Sequence, residues 1–506
     1  MRFRGPWSES YAAAATMVVF ALVPYLALTA ALTPLVPVLS RSLHLSPQSL
    51  ELTDGMANAA YAVGTVLAVQ FAQHLRQRRM LLLYVTMFVI GSVLAAWAPV
   101  PGLFIAGHIV QGLCTSLMLI AAVPPLVTGF PVNRMPWTGA IMNMCIFGAV
   151  AAGPSIGGVQ ASAMEWRPLF WIVAGCGTVA WLFTLLTYED VAPQDTSAPW
   201  DWVAIGLAAL GCAAAFFGAS ELDTHPFISL ITFLPLVGGV LLVISLVVYE
   251  FRVKRPLMPV RQFATTKPVG GIIFALTAGA ASVAAIDLIL TALQSRASPG
   301  HVAVLFLPQL GGAFLTAAVF GALFRTRYMV TLPFAGILAL AGGIAVATGV
   351  AHGSEALVLI GSGLMGIGVG SAVSPALFVA GFSLASAQIQ RVFALIELLR
   401  AVAAFMVAPV ILHLAMTVDG GPKHGGITAG MWACFGIAMS GFVLSSYLFI
   451  LGRARLDAPD LERWQGGEEA AWDTPSLLAG IRSRHHVGDL PEWREAPTAR
   501  RSGQAG

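Results

Sequence analysis

Charge is what this chain most lacks. Lysine, arginine, aspartate and glutamate together make up 10% of its 506 residues, where a water-soluble globular chain carries about a quarter. So few charges cannot keep in water a chain that is 57% hydrophobic. The formal net charge of +3 is small and dispersed, which excludes the basic surface that nucleic acid requires as a partner. Cysteine is sparse too. Cys114, Cys145, Cys176, Cys212 and Cys434 all fall in apolar stretches, with no CxxC pair and no histidine at metal-ligand spacing, so they read as small buried hydrophobes rather than a disulfide framework or zinc site. The glycine run GSGLMGIGVG at 361–370 lacks the Lys and Ser/Thr of a nucleotide loop and reads as close helix packing. No ATP site, cofactor or catalytic constellation is expected, and no enzymatic activity.

What is abundant is long apolar sequence. Fourteen stretches are each long enough to cross a bilayer: 12–39, 52–73, 80–98, 103–127, 137–159 and 168–187; then 202–220 and 228–249; then 269–293, 302–323, 329–350, 356–380, 392–416 and 427–451. Helix is the expected conformation, because hydrocarbon offers backbone groups no water. The expected fold class is an all-α polytopic membrane protein solvated by the lipid bilayer. Its expected order is a six-helix bundle (1–190), an inserted hairpin with its linker (191–255), a second six-helix bundle (256–452) and a polar, disordered tail (453–506), in which a short amphipathic helix at 476–481 is conceivable. A basic turn after the second span, HLRQRR at 74–79, is echoed by FRTR at 324–327 after the tenth, as a duplicated bundle would place it.

The positive-inside rule orients the chain. With the N-terminus inside, the inner segments hold Arg2, Arg4, Arg76, Arg78, Arg79, Arg134, Arg252, Lys254, Arg255, Arg261, Lys267, Arg325, Arg327, Arg391, Arg453 and Arg455. The outer segments hold only Arg41, Arg167, Arg296 and Lys423. Both termini are therefore expected in the cytoplasm.

Several segments carry a resemblance. Gly148 precedes GPSIGG (Gly153, Pro154, Gly157 and Gly158 among its residues) and then WRPLF at 166–170; WDWVAIG at 200–206 opens the extra hairpin and PLMPVRQF at 256–263 closes it; Gln111 and Gly112 form a QG pair; and FAQHLRQRRML spans 71–81. On these the chain resembles the major facilitator superfamily and, within it, the fourteen-span drug:proton antiporter branch. The resemblance covers roughly residues 12–451. It implies two six-helix bundles rocking about a central path, a gating loop at Gln73, Arg76, Arg78 and Arg79, and a bacterial inner-membrane location. It also implies efflux of a small organic or amphipathic molecule, driven by inward proton flow, and leaves a periplasmic adaptor open as a partner. The chain departs from the family at Gln73, where an acid is usual, at Arg76 in place of Gly, and at His108 in place of Arg. Its first span has Tyr25, Thr29 and Thr33 but no acid. An uncoupled or differently coupled facilitator is the alternative these departures motivate; a membrane sensor or scaffold is a more distant one.

Charges inside spans cost at least a few kcal/mol and mark pathways or pairs. His108, Asp287, Glu397 and Arg400 are such residues, with Asp54 at the outer edge of the second span. Asp287 and His108 sit at comparable depth, and the resemblance implies that their spans face the central path from opposite halves, so their approach is the expected outer gate or proton site; an imidazole changes charge near neutrality as a guanidinium cannot. Glu397 and Arg400, three apart on one face, are expected to neutralise each other or to meet substrate. Gln111, Asn58, Gln70, Asn143 and Gln309 either line the path or bond between helices. An impermeant thiol reagent should reach Arg2→Cys and Arg455→Cys only after the membrane is permeabilised. Labelling of either from outside overturns the orientation.

Overall fold

The computed structural model describes residues 5–477, apart from 191, 194, 295, 419–424 and 468. Among the described residues, fourteen helices are long and apolar enough to cross a membrane. They are α1 (Tyr11–Leu43), α2 (Pro47–His74), α3 (Gln77–Trp97), α4 (Pro101–Thr128), α5 (Val132–Ser162), α6 (Arg167–Thr187), α7 (Trp202–Ser220), α8 (Leu230–Arg252), α9 (Thr266–Gln294), α10 (Pro299–Leu323), α11 (Tyr328–His352), α12 (Glu355–Phe382), α13 (Ser386–Thr417) and α14 (Gly426–Gly452). Twelve of them begin one to six residues before the apolar run does, and at several, α1 and α2 among them, a cap or an N-terminal proline starts the helix in polar sequence. Ser10 accepts from Ala13 N at 3.3 Å, and Ser46 accepts from Ser49 N at 3.1 Å just ahead of Pro47, both satisfying first-turn donors that have no partner within the helix.

An even number of crossings puts residues 5–10 and 453–477 on one face, called basal here; the α1–α2 turn lies on the opposite face. α7 and α8 pack on each other and lean on α2: a Cβ on Gly211 would lie 3.2 Å from the Gly239 carbonyl oxygen, and one on Gly55 would lie 2.6 Å from Ser220 Oγ. Only 28% of the most apolar part of α8 is buried, against 67% for α1, α2 and α4, so α8 turns most of its surface to lipid.

The two halves meet along α5 and α10 on one side and α2 and α13 on the other. α5 is built for this. A π-turn at Met144–Gly148 interrupts its α-helical ladder, Pro154 removes a donor six residues later, and both bend a helix. The Gly153, Gly157 and Gly158 ridge then lets it approach two neighbours at once. A Cβ on Gly153 would lie 2.7 Å from the Ala30 carbonyl carbon, one on Gly157 3.0 Å from Ala31 Cα, and one on Gly158 3.0 Å from Ala303 Cβ. Ser155 Oγ donates to the Ala303 carbonyl at 2.8 Å, across the seam. Gly148 instead faces Met144 of its own helix.

The expected disordered tail needs correction over its described part. A short helix, α15 (Leu461–Gln465), capped by Asp460, and the segment through residue 477 pack on the basal ends of the second half, burying Trp464 and Trp472. Two isolated tryptophans anchor it, and isolated anchors leave no apolar period to read. Ser476 pairs with Thr265 in a β-bridge; the remainder of the conceivable helix at 476–481, from 478 on, lies outside the described residues.

The seam yields a contrast between two glycines. Gly157→Ala must push α5 off the Ala31 backbone and should lower stability by about 1–3 kcal/mol, the usual cost of overpacking. Gly175, where an added methyl would meet no atom within 4 Å, should accept Ala without loss. Thermal melting in detergent compares them, and equal melting points would sink the close-packing argument.

Candidate functional site

His108, Asp54 and Asp287 lie seven residues in from Pro101, Pro47 and Gln294, the helix ends on the face opposite the basal one. At 1.5 Å per residue that is about 10 Å of depth for all three. Comparable depth, with the span facing that the resemblance implies, suggests an Asp287–His108 pair, but His108 Nε2 lies 3.3 Å from Asp54 Oδ1 instead. The correction has a local cause. α2 and α4 touch through Gly112, where a Cβ would lie 2.9 Å from the Ala57 carbonyl carbon and 2.7 Å from the Tyr25 hydroxyl, so α2 is the helix that can bring a carboxylate to the histidine.

The histidine's tautomer follows from a chain of donors. Ser92 Oγ donates to the Phe88 carbonyl at 2.7 Å, leaving its oxygen to accept from Gln111 Nε2 at 2.9 Å. Gln111 then turns its Oε1 toward His108 Nδ1 at 3.1 Å, and an amide oxygen only accepts, so Nδ1 carries the proton. A neutral His108 therefore presents a lone pair at Nε2. Its contact with Asp54 requires one more proton, held either by the imidazole or by the carboxyl. Phe104 stacks on the imidazole with ring centres 6.0 Å apart, and the Tyr25 ring lies 5.8 Å away, so His108 is fully buried while the Asp54 side chain is 33% exposed.

Asp54 is held from two further sides: Thr29 Oγ1 donates to Oδ1 at 2.9 Å and Asn58 Nδ2 to Oδ2 at 3.1 Å. Asp287 differs. It has no donor against its carboxylate among the described residues, and it faces Asp54 across the same space. That space is a cavity of about 130 Å³ between the halves, lined by Tyr25, Thr29, Asp54, Asn58, Tyr61, Asp287 and Arg400 among apolar walls including Leu26, Ile146, Phe147 and Phe405. It adjoins a larger vestibule of about 600 Å³, which shares Asp54 and Asp287 with it, adds His108 to its lining, and runs past Arg41, Glu51 and Gln294 to the face opposite the basal one.

Glu397 and Arg400 do pair, as their spacing suggested. Arg400 Nη2 and Nε donate to Glu397 Oε2 at 2.6 and 3.1 Å, and Tyr61 OH of α2 donates to the same oxygen at 3.3 Å. The cluster thus crosses the seam between the halves, and Arg400 also lines the cavity. Tyr61 was missed as a site residue, although Asp54, Asn58 and Tyr61 at i, i+4 and i+7 make one polar stripe on α2. Of the other amides, Gln70 binds the basal His74 and the Asp201 main chain. Asn143 and Gln309 are buried, with both amide atoms of Asn143 and Oε1 of Gln309 left unsatisfied.

The expected gating loop lies on the basal face. Arg76 pairs with Asp190, Arg78 Nη2 donates to the Leu185 carbonyl at 2.9 Å, and Gln73 accepts from Asp195 N through its main-chain oxygen at 3.1 Å. These contacts tie the α2–α3 turn to the end of α6 and the linker beyond it. Arg79 is exposed.

Comparison with known proteins matches this architecture. A human organic anion transporter, MFSD10, superposes with a TM-score of 0.58 at 12% identity over 86% of this chain and 99% of that one. A POT family transporter in complex with a thioalcohol conjugated peptide gives 0.62 at 13% identity over 86% and 96%; at such identity the likeness concerns the fold alone. Among sequence relatives, an uncharacterized MFS-type transporter, YubD, of Bacillus subtilis is 28% identical over 39% of each chain. A multidrug resistance protein B homolog of Mycobacterium tuberculosis is 26% identical over 62% of this chain and 59% of its own, so in both the matched part spans less than two thirds of the relative. The drug efflux pump JefA, also of M. tuberculosis, is 24% identical over 81% and 76%. With fourteen spans arranged in this way, and residues 18–409 matching its family model, the chain belongs to the Major Facilitator Superfamily.

Proposed function

We propose that the protein is a secondary active transporter that exports a small organic or amphipathic compound across the bacterial inner membrane in exchange for protons, with the basal face toward the cytoplasm. One observation carries the coupling: the His108–Asp54 contact holds together only with a proton that a neutral imidazole and a carboxylate do not supply, and it sits in the wall of the path. Its loss sets an imidazole lone pair against a carboxylate, so protonation and the geometry of α2 against α4 are linked. The orientation rests on the distribution of basic residues along the chain, and the efflux direction on the drug-export names of relatives such as JefA.

The cavity suits an apolar body with a cationic group. Its walls are mostly apolar, its one arginine is already bound by Glu397, and Asp287 is the carboxylate left to meet a bound cation. The vestibule gives an exit away from the basal face. Alternating access then needs only that the halves part on the basal side and close around the vestibule.

Asp54→Asn can hydrogen-bond to a neutral His108 without any extra proton. In proteoliposomes it should therefore cut accumulation driven by a pH gradient by roughly tenfold, the scale of a typical coupling free energy, while exchange without a gradient persists. His108→Gln should behave alike. If both variants keep full gradient-driven accumulation, the pair does not couple protons, and if the parent protein ignores the gradient the protein is an uncoupled facilitator. Arg400→Met would strand a buried carboxylate and should cost about 3–5 kcal/mol of stability. Adding Glu397→Gln should recover most of that loss in a melting assay; no recovery would mean that Arg400 acts independently of Glu397.

A further inference from the structure

The transport path makes no use of the folded segment beyond α14. Residues 453–467 and 469–477 lie across the basal ends of α9, α12 and α13, all in the second half. Trp464 donates its indole N–H to the Leu384 carbonyl at 2.9 Å and packs edge-on to Phe382, ring centres 4.7 Å apart. Trp472 donates to Ser383 Oγ at 2.8 Å and carries the buried Lys267 ammonium 4.5 Å above its ring. Main-chain bonds from Ala387 N to Gly467 O, Ala471 N to Phe382 O and Thr266 N to Pro475 O fasten the rest. The strap is in effect part of the second half.

The strap also meets the first half, where α15 lies against residues 132–134 and, among the described residues, Gln465 supplies the side-chain hydrogen bonds. Gln465 sends Nε2–H to the Phe130 carbonyl at 2.7 Å and shares it with the Thr128 carbonyl at 3.4 Å, both in the α4–α5 turn. Thr128 and Phe130 also line a basal cavity of about 370 Å³, walled by Met17, Gln77 and Tyr188 from the first half and by Ile389 and Gln390 from the second. Parting the halves at this face opens that cavity and separates Gln465 from both carbonyls.

We propose that residues 453–477 form a latch that holds the basal face shut, with Gln465 as its bolt. The inference rests on the alternating-access reading, since a latch matters only if the halves part here. α4 ends at Thr128 and α5 begins at Val132, so the Thr128 and Phe130 carbonyls lie at and beyond a helix end, where the next turn supplies no N–H. A glutamine amide is matched to them: it donates to carbonyls, carries no charge that would hold it permanently, and separates at modest cost. Loss of these bonds should raise the basal-open population about tenfold, the scale set by one or two neutral hydrogen bonds. The strap so biases the transporter toward the state whose vestibule faces away from the cytoplasm, and substrate loading waits on its release.

The test uses the full chain in lipid nanodiscs with spin labels at Asn133→Cys and Arg325→Cys, exposed positions at the basal start of α5 and in the α10–α11 turn. Gln465→Glu keeps the side-chain length but offers the carbonyls no N–H. It should raise the long-distance population about tenfold over the parent with an unchanged melting temperature, because the tryptophan anchors remain. An unchanged distance distribution overturns the latch. Gln465→Ala is the second variant and should open the face to the same degree; opening by the glutamate alone would trace to charge repulsion and likewise overturn it. Substrate flux is measured in parallel, so a protein whose label distances respond to Gln465→Glu but which moves no substrate retains the latch and loses the transport reading.

Discussion

Hydrocarbon supplies no hydrogen-bond partner, and that constraint organises everything in this molecule. It forces the spans into helices that satisfy their own backbones. It also makes a polar side chain at depth costly unless another side chain, a carbonyl or a water-filled space answers it, and most are answered, Asn143 and Gln309 Oε1 being exceptions. Glu397 is answered by Arg400 and Tyr61, His108 by Gln111 and Asp54, and Ser155 by a carbonyl of the opposite half. Asp287 is answered only by the cavity. A group left in this way is informative because its isolation is costly unless something else visits it.

The same constraint explains what was legible beforehand. Span number, the position of the extra hairpin and the depth of each buried charge depend on local quantities, namely run length and residue count along a helix, and these survive into the structure. Pairing depends on which helices touch. Asp287 and Asp54 lie at equal depth, so nothing along the chain distinguishes them as partners for His108; the Gly112 contact between α2 and α4 does, and it is a property of packing. The π-turn at Met144–Gly148 left no mark either, since MCIFG has no residue that an α-helix refuses. Glu397 and Arg400 were readable because their contact lies within one helix.

The folded segment after α14 shows the converse failure. Its composition is that of a disordered tail, and the inference from composition assumes that ordering must be won by a periodic apolar face. Here it is won by two tryptophans that enter a surface already formed by α9, α12 and α13, with main-chain groups bonding to helix ends whose first N–H groups and last carbonyls have no partner within the helix. Order on such a surface needs few residues, provided the surface is preformed. The spacing of Trp464 and Trp472 says nothing until the three helix ends that receive them are known.

α2 is the element on which these threads converge. Its polar stripe places Asp54 in the proposed proton pair and Tyr61, two turns deeper, against Glu397 of the other half, while its basal end runs into the turn that Arg76 ties to Asp190. Asn58 lies between, bonded to Asp54 and lining the cavity. A helix held at one end by a contact that requires a proton, and at its middle by a contact across the seam, cannot shift at one without straining the other, because packed interfaces switch between discrete arrangements more readily than they deform. On the proposed reading this gives protonation a mechanical route to the seam that needs no conformational change in α4, whose His108 is locked by Gln111 and Ser92. The histidine is the fixed member of the pair and the aspartate, with its helix, the one that moves.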